Sequence, residues 1–179
     1  MAVASGIYAS TYTLPTSAET GDNFLRDSDL YGGTYNLFAH TLPRQGIEAR
    51  FFNKDASDDE IAAKIDANTK AIYCETIGNP SGGVADVARL ANLAHKHGIP
   101  LIVDSTVASP TLWLPIDDGA AILIHSATKY IGGNCTTIGS VFVYTGKFRW
   151  RDNWELVHLL HSTTVFFIVF TTFLYIEAA

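Results

Sequence analysis

The chain has 179 residues, 47% of them hydrophobic and 17% charged, with a formal net charge of −6. That is long enough for one domain with a substantial core and too apolar for a disordered segment. Negative charge without any run of Lys and Arg argues against a nucleic-acid surface, and the two cysteines, Cys74 and Cys135, show neither metal spacing nor a disulfide framework, which fits a reducing cytoplasmic setting.

No charged leader followed by an apolar stretch opens the sequence, so no secretory signal is expected. The first local feature is Ser5-Gly6-Ile7, where the glycine permits close backbone approach. Tyr31 stands before the pair Gly32-Gly33, whose freedom allows a tight turn. Residues 48–52, led in by Gly46-Ile47, read as a strand. Ser57-Asp58-Asp59-Glu60 has the Ser-x-x-Glu form of a capping box and opens a helix through about residue 65. Residues 70–74 make the next strand, and Gly78-Asn79-Pro80 marks a turn. Val84, Val87, Leu90 and Ala94 then recur at helical spacing, with Gly98 and Pro100 as the stop. Residues 100–104, 121–125 and 140–144 read as further strands. Helices alternating with strands predict a three-layer α/β fold, a mostly parallel sheet with helices on both faces.

Lys129 stands where the apolar run 121–124 gives way to the loop His125-Ser126-Ala127-Thr128-Lys129-Tyr130-Ile131-Gly132-Gly133. Apolar walls there would lower the pKa of its amine and free it for Schiff-base chemistry. Ser126 and Thr128 could donate hydrogen bonds to a phosphate. A lysine after a strand is usually just a solvated loop residue. Asp104, at the end of another apolar run, changes the balance. An aspartate in that place is commonly a turn or helix cap. In pyridoxal enzymes, however, a carboxylate pairs with the pyridinium nitrogen and keeps the ring an electron sink. Consecutive strand units would put both residues at the carboxyl edge of the sheet, where open α/β sheets bind ligands. Amine, carboxylate and hydroxyl cradle together point to pyridoxal phosphate.

Between residues 30 and 139 the chain carries a series of segments. They are Leu30-Tyr31-Gly32-Gly33-Thr34-Tyr35-Asn36-Leu37-Phe38, Glu75-Thr76-Ile77-Gly78-Asn79-Pro80, Val103-Asp104-Ser105-Thr106, the 125–133 loop, and Thr136-Thr137-Ile138-Gly139. In order and separation they resemble the Cys/Met-metabolism family of pyridoxal-phosphate enzymes, the cystathionine γ-synthase-like family, and within it the O-acetylhomoserine sulfhydrylase branch. The resemblance implies a fold-type I (aspartate aminotransferase-like) transferase fold, with residues 1–150 as part of its large cofactor domain. It implies pyridoxal 5'-phosphate carried by Lys129, with Asp104 against the ring nitrogen. Tyr31 would stack on the ring and assist the leaving group, and Asn79 would bond the ring oxygen. Ser126, Thr128 and the amides of Gly6 and Ile7 would face the phosphate. The implied reaction is γ-replacement on a small amino-acid substrate, homocysteine formation from O-acetylhomoserine and sulfide, in a homo-oligomer that is a tetramer in the family. Cystathionine γ-synthase and γ-lyase chemistry stay open beside it.

Some positions depart from the family pattern. Ser105 stands where Asn is usual, and Asn134-Cys135 where His-Gly is usual. The resemblance leads one to expect that the family's N-terminal arm and its C-terminal domain, with the arginine that clamps the substrate carboxylate, are missing here. Residues 151–179 form a divergent hydrophobic tail, with an aromatic and β-branched run at 165–176. A membrane span needs about 20 mainly apolar residues, and His158, His161, Ser162 and several threonines interrupt this one. A non-native tail after truncation or altered splicing is the favoured reading, with a packed element or a membrane segment as alternatives. The competing expectation for the whole chain is therefore a non-catalytic remnant, membrane-associated through its tail if at all. No metal is expected: His95 and His97 point in different directions on a helix, and His158 and His161 lack a third ligand nearby.

Overall fold

The computed structural model of the chain describes residues 20–134, 136, 138–144 and 148. Gly6, Ile7 and the 151–179 tail lie outside the described residues. Six strands form one sheet: β1 (Asn23–Asp27), β2 (Glu48–Phe52), β3 (Thr69–Glu75), β4 (Leu101–Asp104), β5 (Ile122–Ser126) and β6 (Ser140–Tyr144). Their order is β2-β1-β3-β4-β5-β6. The first five are parallel, and β6 returns antiparallel to β5. The carboxyl ends of β1 to β5 therefore share one edge.

Parallel strands covered on both faces must be largely apolar, and their period of two sends successive side chains to opposite faces. Phe24, Tyr73, Ile102, Ile122 and Ile124 join one buried cluster. Their neighbours Leu25, Ile72, Cys74, Leu101, Val103 and Leu123 join the other. The first cluster is closed by Leu37, Phe38 and Leu42. These come from a run of short helical segments, α1 (Gly32–Asn36), a π-helical turn (Leu37–Thr41) and a 3-10 turn (Leu42–Gln45). The second is closed by Ile61 of α2 (Asp58–Ala62) and by Val87, Leu90, Ala91, Leu93 and Ala94 of α3 (Val87–Lys96). Burying each such Leu, Ile or Val stabilises the fold by roughly 1.5–3 kcal/mol, so truncation in either cluster loosens the sheet that sets the site.

Local signals act as the sequence suggests at two helices. Ser57 Oγ accepts the Glu60 N–H at 3.3 Å while the Glu60 carboxylate accepts the Ser57 N–H at 2.8 Å, a complete capping box on α2. The Asp86 carboxylate accepts the Arg89 N–H and caps α3, which stops where Gly98 takes φ +71°.

One strand lies where the sequence signalled none, and three expectations need correction. β1 gives no apolar run, because Asn23, Arg26 and Asp27 are polar yet buried. Val84 does not belong to α3; it is 64% exposed and bridges to Ile77 in an antiparallel pair. α2 ends at Ala62 rather than near residue 65. Gly32 and Gly33 make no tight turn but open α1, with Tyr31 as its N-cap.

Arg26 is fully buried beside its β2 register partner Phe51. Its guanidinium carbon lies 2.8 Å from the centroid of Phe51 and 4.9 Å from that of Tyr35. None of its three guanidinium nitrogens has a hydrogen-bond partner among the described residues. Ring faces here replace the usual acceptors, and burial pushes its pKa down to about 10.

Candidate functional site

Residues expected at the site cluster along the carboxyl edge of β1, β3, β4 and β5. Each chain segment leaving a strand is first tied to the next strand by a backbone bond. Ser28 N–H donates to the Phe52 carbonyl, Thr76 N–H to Asp104 and Ser105 N–H to Ile124, at 2.8–2.9 Å. The connections thus start from fixed points, and their side chains inherit that placement.

Asp104 ends β4 with a buried carboxyl. Its Oδ1 accepts the Thr106 N–H at 2.8 Å. Thr106 Oγ1 in turn accepts the Ser126 N–H at 2.7 Å, which joins the ends of β4 and β5. Burial pushes the Asp104 acid upward against the opposing pull of its bonds to Thr106. His125, also buried, donates from Nδ1–H to the Ser105 carbonyl at 3.0 Å. Burial lowers its pKa, so the ring is neutral at neutral pH.

Glu75 ends β3 as the register partner of Asp104. Its Oε1 accepts the Tyr31 N–H at 2.8 Å, and the Asn79 backbone amide approaches the same carboxyl closely enough to favour its ionised form. Burial, then the neighbouring Asp104, push the Glu75 acid up to about 8. Two expected site residues therefore meet through one that carried no assigned role. Asp27 ends β1, buried, with its acid also pushed up by desolvation although the Asp29 amide bonds it. None of the ion pairs among the described residues involves Asp27, Asp29, Glu75 or Asp104.

After β5 the chain turns tightly. Lys129 N–H donates to the Ser126 carbonyl, and Gly132 N–H to Ala127 at 2.7 Å. A Cβ on Gly132 would fall 2.7 Å from the Ala127 carbonyl oxygen, so only glycine closes this turn without a shift. Thr128 Oγ1 accepts the Gly139 N–H at 2.9 Å and holds the start of the return to β6. Lys129 itself is exposed, without the apolar walls expected around it. Asn79 is exposed as well and Tyr31 is half-buried.

Tyr31, Asn79, Asp104, Ser126, Thr128 and Lys129 therefore lie along one sheet edge, while Gly6 and Ile7 lie outside the described residues. Sequence reasoning passed over Glu75, Asp27 and Thr106. For Glu75 the signal was present, an acid closing an apolar run as Asp104 does. Among the described residues no group of His, Cys, Asp and Glu could hold a metal ion, and no helix is long and apolar enough to cross a membrane.

The donor set suits a cationic aromatic ligand. A buried carboxyl with no cation paired to it among the described residues is what a pyridinium N–H would satisfy, and hydroxyl side chains at the β5 end suit an anionic group.

Comparison with known proteins agrees with this chemistry. The sequence model for Cys/Met metabolism PLP-dependent enzymes matches residues 1–174, running past Arg151, where the motifs visible in the sequence give out. The homocysteine synthase of Schizosaccharomyces pombe is 53% identical over 154 residues, which is 86% of this chain and 36% of that protein. The structure of O-acetylhomoserine sulfhydrylase from Wolinella succinogenes aligns with TM-score 0.78 and 35% identity, covering 90% of this chain and 46% of the other. A Campylobacter jejuni structure assigned as an O-acetylhomoserine (thiol)-lyase, with N'-pyridoxyl-lysine-5'-monophosphate, aligns with TM-score 0.77 and 40% identity, covering 82% and 36%. The chain spans about a third of the length of the curated relatives it matches.

Proposed function

Because the chain belongs to the Cys/Met metabolism PLP-dependent enzyme family, we propose that its sheet edge binds pyridoxal 5'-phosphate and serves γ-replacement on O-acetylhomoserine. In this reading sulfide displaces acetate: the Cγ–O bond breaks, acetate leaves with its electron pair, and a C–S bond forms to give homocysteine. The cofactor, when bound, supplies an electron sink for charge that develops on the substrate carbons.

The chain's own residues would divide the remaining work. Lys129 carries the cofactor through its amine and, once released, holds and moves the substrate's α-proton. Asp104 faces the ring nitrogen and keeps it protonated. Tyr31 stacks on the ring and lends its hydroxyl to the departing acetate oxygen. Asn79 bonds the ring oxygen, while Ser126 and Thr128, with the amides of Gly6 and Ile7, orient the phosphate. The protein would work in the cytoplasm, as a homo-oligomer, on small amino-acid substrates.

The observation that carries this reading is the buried Asp104 carboxyl, without a paired cation among the described residues, one strand from the Lys129 turn. Titration of the purified protein with pyridoxal phosphate tests it. A visible absorption band that forms with wild type and is absent from Lys129→Ala supports the cofactor role, and its absence from both refutes it. Homocysteine release from O-acetylhomoserine with sulfide tests the reaction, and replacing sulfide with cysteine distinguishes the cystathionine-forming branch.

A further inference from the structure

We propose that Glu75 is a positioning residue: its buried carboxyl clamps the backbone amides of Tyr31 and Asn79, and so sets the spacing of the two side chains assigned to the cofactor ring. This inference rests on that assignment.

The geometry comes from three separate chain segments. Tyr31 is the N-cap of α1, so its N–H has no helical acceptor and depends on the 2.8 Å bond to Glu75 Oε1. Asn79 opens the excursion between β3 and α3, and its amide reaches the same carboxyl. That excursion is closed on itself by Gly78 N–H to Gly83 O and Gly82 N–H to Gly78 O, both 2.8 Å, so it moves as one piece. A second tie joins the same two connections, between the Asp29 carboxylate and the Ser81 hydroxyl. Gly78 is pressed so near Asp29 that a Cβ would lie 2.9 Å from the Asp29 carbonyl oxygen. The two connections are thus packed face to face, and Glu75 is the buried acceptor beneath both.

The ionisable groups facing Glu75 are Asp104 from β4, Asp29 from the β1–α1 connection and its own neighbour Cys74. All are acids. Its proton is therefore retained at neutral pH, with the acid pushed up to about 8. What the two amides need is an oxygen acceptor and not a charge, so a neutral amide side chain can stand in.

Hydrogen exchange of the cofactor-free protein reads the clamp, and a pyridoxal phosphate titration reads its consequence. The Tyr31 and Asn79 amides should exchange slowly in wild type and at least about tenfold faster in Glu75→Ala. Cofactor affinity should fall about tenfold in Glu75→Ala and stay within about threefold in Glu75→Gln. If Glu75→Ala does not fold, Glu75→Gln carries the test: retained protection of Tyr31 supports the clamp, and its loss with the fold intact overturns it. Wild-type affinity in a folded Glu75→Ala, or unprotected loop exchange at both amides in wild type, also overturns the proposal. Protected amides in a wild type that forms no Lys129-dependent band would refute the cofactor reading and leave the clamp standing.

Discussion

Glu75 and Asp104 are register partners at the carboxyl ends of β3 and β4, both buried, and each holds its proton more tightly than a free carboxyl does. Two acids side by side, with no cation paired to either among the described residues, make the edge unfavourable when both are ionised. The same arrangement attracts a cationic ring.

The first consequence is a pH dependence with a definite sign. A carboxyl whose folded pKa exceeds its unfolded one binds more proton in the native state, so stability falls as pH rises between the two values. For Glu75 that window runs from 4.5 to about 8, and Asp104 shifts in the same direction. The urea midpoint of the cofactor-free protein should decline between about pH 5 and about pH 8.5, and Glu75→Gln should flatten much of the slope. A wild-type midpoint that rises over this range would contradict the pairing.

Asp104→Asn should act in opposite directions on stability and on binding. The substitution keeps the shape and removes one of two adjacent buried acids, so the cofactor-free protein should melt at a higher temperature above neutral pH. The ring nitrogen would lose its charged partner, and pyridoxal phosphate affinity should fall at least about tenfold. Thermal scans and spectral titration of one preparation measure both. A fall in both quantities would mean that the carboxylate is needed by the protein itself.

How much of this could be read from the sequence depends on where each residue finds its partner. β3, β4 and β5 are legible because their apolar runs are local, and Asp104 is legible as the acid ending one of them. β1 is hidden: Asn23 bonds Asp66 and Thr69, Arg26 finds aromatic rings, and Asp27 takes the amides that follow it. Two of those partners lie more than forty residues away, and no local pattern shows that such polar groups are satisfied inside. Glu75 sits in a legible position, but its role depends on the reversal that brings Tyr31 back to the sheet edge. Lys129 is the converse case, a residue whose motif is plain while its exposure is set by a turn that only the fold reveals.

Gly78 and Gly32 should respond oppositely to alanine. At Gly78 a Cβ would meet the Asp29 backbone oxygen and carboxylate at 2.9 Å, and backbone cannot swing aside. Gly78→Ala should destabilise by about 1–3 kcal/mol, typical of overpacking, and should loosen the Asn79 connection in hydrogen exchange. At Gly32 nothing lies within 4 Å, and the residue opens α1 without a positive φ. Gly32→Ala should therefore stabilise by roughly 0.4–1 kcal/mol through the unfolded chain. Urea denaturation of both variants checks the pair.

Arg26→Met tests whether a buried cation without hydrogen bonds is a burden or a brace. Desolvation lowers the pKa of this guanidinium to about 10, and its only compensation among the described residues is the ring stack with Phe51, Tyr35 and Phe38. Stacking of this kind contributes about 2 kcal/mol when desolvated, whereas the effective penalty for burying an ion reaches several kcal/mol. Desolvation wins on these magnitudes. Methionine fills similar space, adapts to the aromatic walls and needs no acceptor. The substitution should raise stability by about 1–3 kcal/mol, seen as a higher urea midpoint with an unchanged slope. Loss of stability instead would mean that the cation fixes the order of β1 and β2, and Arg26→Lys, which keeps the charge and loses the planar stack, would then fall below the wild type too.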